Sequence, residues 1–341
     1  MKLRLLVGVA GVALVLLLLP RAELARPLEE YHVAMGTIVR VAIFADEAEA
    51  PALFAVARDE IDHLSAGLTH YGTDGELARV NREAQSGWVD ISADLADVLG
   101  LSLAIARRTG GSFDPSLGAL TRLWGFPDAT QPPTPAAIDS ALAQCGYRHV
   151  RIEGRRVRFT SQGIRLDLGA GAKGYVVDRT VSRLQAAGVM AGVVEAGGDL
   201  RYWGSKPDGR PWHFGVQHPR LPGVIVAAED VGLAALATSG DYEQTFEFAG
   251  QQYHHLLDPQ TGLPAQRAVS ATVWARSAME ADALATAAFV AGPQQALEWA
   301  AAADSMEVLL YYESDGVLRY ALSEGLQGRI DAVPDSPAHN P

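Results

Sequence analysis

IRLDLGAGAKGYVVDRTVSRLQAAGVMAGVVEAGGD, from Ile164 to Asp199, is the stretch around which the rest of the chain is organised. It reads as a short apolar strand ending at Asp167 and Leu168, then a glycine-rich turn from Gly169 to Gly174. An amphipathic helix from about Tyr175 to Ala187 follows, and a second strand closes on Gly197, Gly198 and Asp199. Glycines let a backbone come close to a ligand, and the first N–H groups of a helix have no partner inside it, so the turn is expected to cradle a diphosphate. Gly169, Gly171 and Gly174 also spell G-x-G-x-x-G, with Glu195 near the place of a ribose-binding acid, which raises a Rossmann domain as a rival. Asp167 at the strand end, Lys173 inside the loop and the Gly-, Trp- and hairpin-rich continuation argue against it. No G-x-x-x-x-G-K-[ST] occurs, so this is not a P-loop. A tight turn without a ligand is the plain alternative for this stretch taken alone.

The 341 residues can bury one large domain or two packed ones, and a formal net charge of −12 argues against a phosphate backbone as partner. The one cysteine, Cys145, can form no internal disulfide and reads as a small core residue at a helix end. Lys2 and Arg4 precede an apolar run from Leu5 to Leu19, the pattern of a secretory signal, though short for a spanning helix. Glu23 lies where a small residue would favour cutting after Ala25, so an uncleaved anchor stays open and export is expected either way. The expected division is a signal or anchor over 1–27, a catalytic domain over 28–332 and a disordered, Pro-rich tail over 333–341.

Along the chain, Tyr31 to Asp46 alternates like a strand broken at Met35, Gly36 and Thr37, and Glu47 to about His70 has helical spacing. A turn at Tyr71 and Gly72 follows, and Ser92 caps a helix to Arg108. FDPSLGALTRLWGFPDATQPPTP has no period and reads either as a lid or binding loop or as an aromatic cluster packing a core edge. A helix over Ala136 to Ala143 precedes a hairpin at Glu153 and Gly154 that is expected to feed the central strand. Strands then dominate, with a hairpin at Ala249 and Gly250, until helices from about Ala278 to Ala291 and Gln294 to Ala302 and two last strands.

Asp282 and Thr286 lie four residues apart, so on a helix their hard oxygen donors stack on one face, a pattern suited to Mg²⁺ but also to a dipole-placed acid and a half-buried hydroxyl. In YHHLLDPQTGLP, His254 and His255 face opposite sides of a strand, so one of them can reach a site while the other packs.

MGT, FDPSLGALTRLWGF, DLGAGAKGYVVD, AGGD, ATSGDYE, HLLDPQTG and MEADALATA occur in one order, and this series closely resembles the FAD:protein FMN transferases, the ApbE family, from about Tyr31 to Leu322. The resemblance implies a bilobal α+β fold resembling the tunnelling fold (T-fold), with mixed or antiparallel sheets and packed helices. It implies Mg²⁺-dependent cleavage of FAD, with FMN passed to a threonine hydroxyl of an acceptor protein and AMP released, on the periplasmic side of the inner membrane. Acceptors of that class are flavoprotein subunits of sodium-pumping quinone reductases or Rnf-type complexes. Carried over by motif, Met35, Tyr71, Ser112, Phe113, Asp114, Asp167, Lys173 and Leu256 would contact FAD. The Ala170 carbonyl, Asp282 and Thr286 would hold the metal, and His255 would be the base. Glu195 stands where such proteins more often carry Asn, and the lipid-attachment cysteine of many of them is absent. A Mg²⁺-dependent FAD pyrophosphatase and a periplasmic flavin-binding protein without turnover are the rival readings.

Overall fold

The computed structural model describes residues 26–68 and 75–330; the signal-like segment, Tyr71 and the tail lie outside them. Its spine is an eight-stranded sheet in which every pair is antiparallel. The order is β1 (Leu28–Ala34), β2 (Thr37–Ile43), β6 (Gly192–Ala196), β7 (Asp199–Trp203), β10 (Ala235–Gly240), β13 (Ser270–Ala275), β14 (Met306–Ser314) and β15 (Val317–Leu322).

One face is covered by α1 (Ala50–Leu68), α3 (Ala93–Arg108), α6 (Gly169–Ala186) and α7 (Ala278–Ala291), whose apolar residues merge with Val39, Val41, Val194 and Val273 into the main core. α2 (Glu76–Glu83) packs beneath them through Leu77 and Val80, and α8 (Pro293–Ala301) follows α7 through Ala296. Helix starts follow local chemistry: Ser92 Oγ accepts from Leu95 N at 3.1 Å, and Ser277 Oγ from Glu280 N at 3.2 Å. α7 is buried on almost every side, and its alanines let it lie flat between the sheet and α6. The fit is tight enough that a Cβ at Gly174 would meet the Ala278 carbonyl oxygen at 2.3 Å.

The opposite face packs a hairpin of β8 (His213–Gln217) and β9 (Ile225–Glu229) over Tyr202, Leu236, Trp274 and Leu309. A third cluster joins α4 (Gly118–Trp124) and α5 (Pro135–Leu142) to Leu257 and to Phe246 and Tyr253 of the hairpin β11 (Thr245–Phe248) and β12 (Gln251–His254).

Two hairpin turns at one end of the sheet prepare the site. Ala34 pairs with Thr37 around Met35 and Gly36, whose φ values are +52° and +73°. Ala196 pairs with Asp199 around Gly197 and Gly198, at +59° and +93°. Both are two-residue turns with positive φ at each central position, the geometry that matches strand twist. They abut: a Cβ at Gly197 would stand 2.8 Å from Thr37 Oγ1.

Several expectations are corrected. Residues 164–168 form no strand beyond an isolated bridge from Arg165 to Leu117; the Asn81 side chain takes both backbone groups of Leu166, its Oδ1 accepting from Leu166 N at 2.6 Å and its Nδ2 donating to Leu166 O at 3.0 Å. The glycine-rich turn is itself the start of α6, and the strand after it ends at Ala196, with Asp199 opening the next one. The hairpin of β4 (Val150–Glu153) and β5 (Arg156–Phe159) does not feed the central sheet; with β3 (Val89–Asp90) it makes a separate three-stranded sheet. The aperiodic aromatic stretch contains α4, stopped by Gly125 in the left-handed region at φ +69°.

Candidate functional site

α6 does not begin as a regular helix. Ala170 (φ −96°, ψ 89°) and Gly171 (φ 135°, ψ −32°) kink its first turn, the second in a conformation suited to glycine. The kink directs N–H groups onto a carboxylate of α7: Asp282 Oδ2 accepts from Gly171 N at 2.8 Å and Gly174 N at 3.4 Å. The expected diphosphate cradle therefore receives one of the protein's own anions.

Lys173 sits within the same turn. Its Nζ lies 2.8 Å from Asp199 Oδ2 and 3.5 Å from Asp282 Oδ2, and both acids are buried. Burial alone pulls the lysine pKa down, but the charges of Asp199 and Asp282 more than reverse this and hold it above its usual value. Asp199 is pushed well up, by burial and by Asp282, against the pull of Lys173. Glu243 is raised by desolvation; Lys173 pulls it down and Asp282 pushes it up, so it shares this field. One ammonium thus faces three carboxyl groups. Asp199 was not assigned from sequence; its signal was the acid directly after the two-glycine turn of AGGD.

These residues fit a hard cation. Asp199 Oδ2 is buried and, apart from the ion pair with Lys173, makes no hydrogen bond of good geometry. Thr286 follows Asp282 by one turn of α7, with its Oγ1 3.2 Å from Ser239 Oγ, and the kink frees the Ala170 carbonyl from regular helical orientation. Among the described residues no three His, Cys, Asp or Glu side chains form a metal cage. A carboxylate, a hydroxyl and a carbonyl are the sparse oxygen set that suits Mg²⁺, which keeps several waters.

His255 follows β12, half-buried, with its ring 6.5 Å from that of Phe126 in an edge contact. Its pKa falls to about 4, chiefly through burial, then through His254 and Lys173; Asp167 acts in the opposite sense. Nδ1 is buried without a hydrogen-bond partner, so no contact there fixes the tautomer. His254 is a packing residue: its Nε2 lies 2.9 Å from Ala265 O, its Nδ1 accepts from Leu256 N at 3.3 Å, and its ring meets Phe289 edge-on.

The structure thus gathers Asp167, Ala170, Lys173, Asp282, Thr286 and His255 in one neighbourhood. Asp167 also caps the turn, accepting from Gly169 N at 2.8 Å. Met35 packs half-buried against the main core from its turn, and Leu256 is buried beside His255. Phe113 and Asp114 occupy framework positions. Phe113 is in the main core, while Asp114 accepts from Ser116 N and Oγ at 2.8 and 2.6 Å and from Tyr147 N at 2.9 Å. Ser112 N closes the turn before them onto Thr109 O at 3.2 Å. Glu195 accepts from Arg40 Nε at 3.1 Å on the neighbouring strand.

Comparison with known proteins agrees with this geometry. The family model described as "ApbE family" matches residues 35–310. A Vibrio cholerae protein named FAD:protein FMN transferase is 33% identical over 320 residues, covering 90% of this chain and 95% of its own. A Treponema pallidum protein of the same name is 34% identical over 285 residues, covering 76% and 78%. The crystal structure of the ApbE protein from Thermotoga maritima superposes with a TM-score of 0.80 at 30% identity, covering 89% of this chain and 99% of that one. With its α+β fold, its motifs and its relatives in agreement, the chain belongs to the ApbE family of flavin transferases.

Proposed function

We propose that the chain transfers FMN from FAD to a threonine hydroxyl of an acceptor protein, with Mg²⁺, releasing AMP. The observation that carries this is the helix start whose N–H groups already hold Asp282. Such a start does not serve as a plain anion cradle; with Asp199 and Glu243 beside it, it accommodates a diphosphate when a cation lies between them. Mg²⁺ bound by Asp282, Thr286 and the Ala170 carbonyl would neutralise diphosphate charge and fix its orientation. Lys173 presents a fixed positive charge to the same phosphates. His255 takes the proton of the threonine hydroxyl as its oxygen bonds to the FMN phosphorus, and the bond to the bridging oxygen breaks so that this oxygen leaves with AMP. Chromatography of FAD incubated with enzyme and Mg²⁺, with and without an acceptor, tests the reading. AMP release matched by flavin on the acceptor supports it; equal FMN and AMP regardless of acceptor contradicts it in favour of hydrolysis.

The base carries a pH signature. Because His255 is held neutral down to about pH 4, the acid limb of kcat/KM, which reports the free enzyme, should lie well below the ordinary histidine range. The limb of kcat should lie higher, since the bound diphosphate stabilises the imidazolium. The stability linkage has a matching sign. Between the unfolded value of 6.5 and about 4 the unfolded chain binds a proton that the folded one refuses, so this contribution is complete above pH 6.5 and is lost as pH falls through the window. A kcat/KM limb near 6.5 would contradict the assignment.

The same reading places the domain outside the cytoplasm, at the inner membrane, with the Leu5–Leu19 run as signal or anchor and acceptors among the Rnf-type or sodium-pumping quinone reductase subunits. No helix of the described residues is long and apolar enough to cross a membrane. A reporter enzyme that works only after export, fused after Pro341, should be active; a silent fusion present at normal levels would contradict this.

A further inference from the structure

Asp178, five residues after Lys173 on α6, is buried at the junction of the three elements that carry the candidate site. Its Oδ1 accepts from Ala278 N at 2.9 Å and its Oδ2 from Met279 N at 3.0 Å, the first two N–H groups of α7. Arg201 Nη1 donates to the same Oδ1 at 2.9 Å from β7. Lys173, Asp282 and Asp199 lie on α6, α7 and β7; Asp178, the α7 start and Arg201 lie on the same three and lock them together next door. Asp282 stands four residues after Ala278, about one helical turn, so the direction of its carboxylate depends on where that helix end is held. Ser277 Oγ already caps α7 through Glu280 N, so the helix start has a stabilising cap of the ordinary kind without Asp178. Arg201 Nε is buried with no hydrogen-bond partner, a desolvation penalty offset by the pair with Asp178.

We propose that Asp178, backed by Arg201, is a positioning residue that sets the reach of Asp282 and Thr286 toward the divalent cation, an inference that rests on the metal reading above. Asp178→Asn preserves shape but can accept only through one atom, so one of the two α7 N–H groups loses its acceptor and Arg201 loses its counter-charge. In the full chain, the half-saturating Mg²⁺ concentration for FMN transfer should rise by about 10-fold or more, the usual range for a residue that orients a metal ligand. The calorimetric Kd for Mg²⁺ in the presence of AMP should rise by the same factor. Ser277→Ala, acting on the same helix end by a purely stabilising contact, should lower the melting temperature and move neither Mg²⁺ measurement. If Asp178→Asn fails to fold, Arg201→Gln supplies the test and should shift both measurements in the same direction by a smaller factor. A folded Asp178→Asn, or Arg201→Gln in its place, with wild-type Mg²⁺ affinity overturns the proposal; so does an equal shift in Ser277→Ala. Failure of the metal reading looks different: wild-type enzyme would then bind no Mg²⁺ and transfer FMN at full rate in a chelator.

Discussion

Replacing Asp282 with Asn should leave the α6–α7 junction standing and lower FMN transfer by on the order of 10³-fold, the equivalent of several kcal/mol of charge stabilisation. The asparagine oxygen can still accept from Gly171 N and Gly174 N, so the kinked helix start keeps its anchor, and Lys173 keeps Asp199. What disappears is the carboxylate charge proposed to face the cation. Asp282→Ala should be as inactive and also less stable, by about 1–3 kcal/mol for a buried N–H left unpaired. Steady-state transfer at saturating FAD over a Mg²⁺ series, beside thermal melting, separates the two effects. An Asp282→Asn enzyme at full rate in limiting Mg²⁺ would remove Asp282 from the metal site.

His255→Ala should cost about 10²–10⁴-fold in transfer, the usual worth of a positioned general base, and leave FAD affinity and Mg²⁺ dependence nearly unchanged. In the proposed mechanism Lys173, Asp282 and Thr286 act on the diphosphate whichever nucleophile attacks, so the loss belongs in kcat. His254→Ala is a different kind of change. It removes a buried ring that packs on Phe289 and bonds Ala265 O and Leu256 N, so it should lower the melting temperature while the folded fraction keeps most of its rate. Acceptor labelling rates for the two variants decide the matter; an inactive but well-folded His254→Ala beside an active His255→Ala would reverse the assignment.

The elements that could be read in the sequence are those whose signals are local. α7 spans Ala278–Ala291 as expected, Ser92 caps α3, and the turns at Met35–Gly36 and Ala249–Gly250 fall where the strand alternation breaks. The α6 start was misread because its conformation is set by a partner more than a hundred residues away. Gly171 N finds its acceptor on Asp282, and no local propensity encodes that. The same holds for Asp199: its position after Gly198 is visible in sequence, but its ion pair with Lys173 depends on the register of β6 with β7 and the packing of α6 over both. Helix α4 was hidden by its brevity and by glycines at both ends, and it is stabilised by Trp124, whose Nε1 donates to Gly262 O at 2.9 Å. Asp282, Thr286 and His255, proposed as metal ligands and base, could be named by spacing and motif; the network beside them, Asp178 with Arg201 and the α7 N–H groups, is purely tertiary.

The central claim is that this site joins FMN to a threonine of another protein through a phosphoester. Its most direct measurement is peptide mass spectrometry of a purified acceptor subunit after incubation with the enzyme, FAD and Mg²⁺, read beside in-gel flavin fluorescence. The account predicts a fluorescent acceptor band and one peptide heavier by FMN less a water, localised to a threonine, formed by the wild type and absent with Asp282→Asn. A dark acceptor of unchanged mass, while FAD is consumed to FMN and AMP, would contradict it.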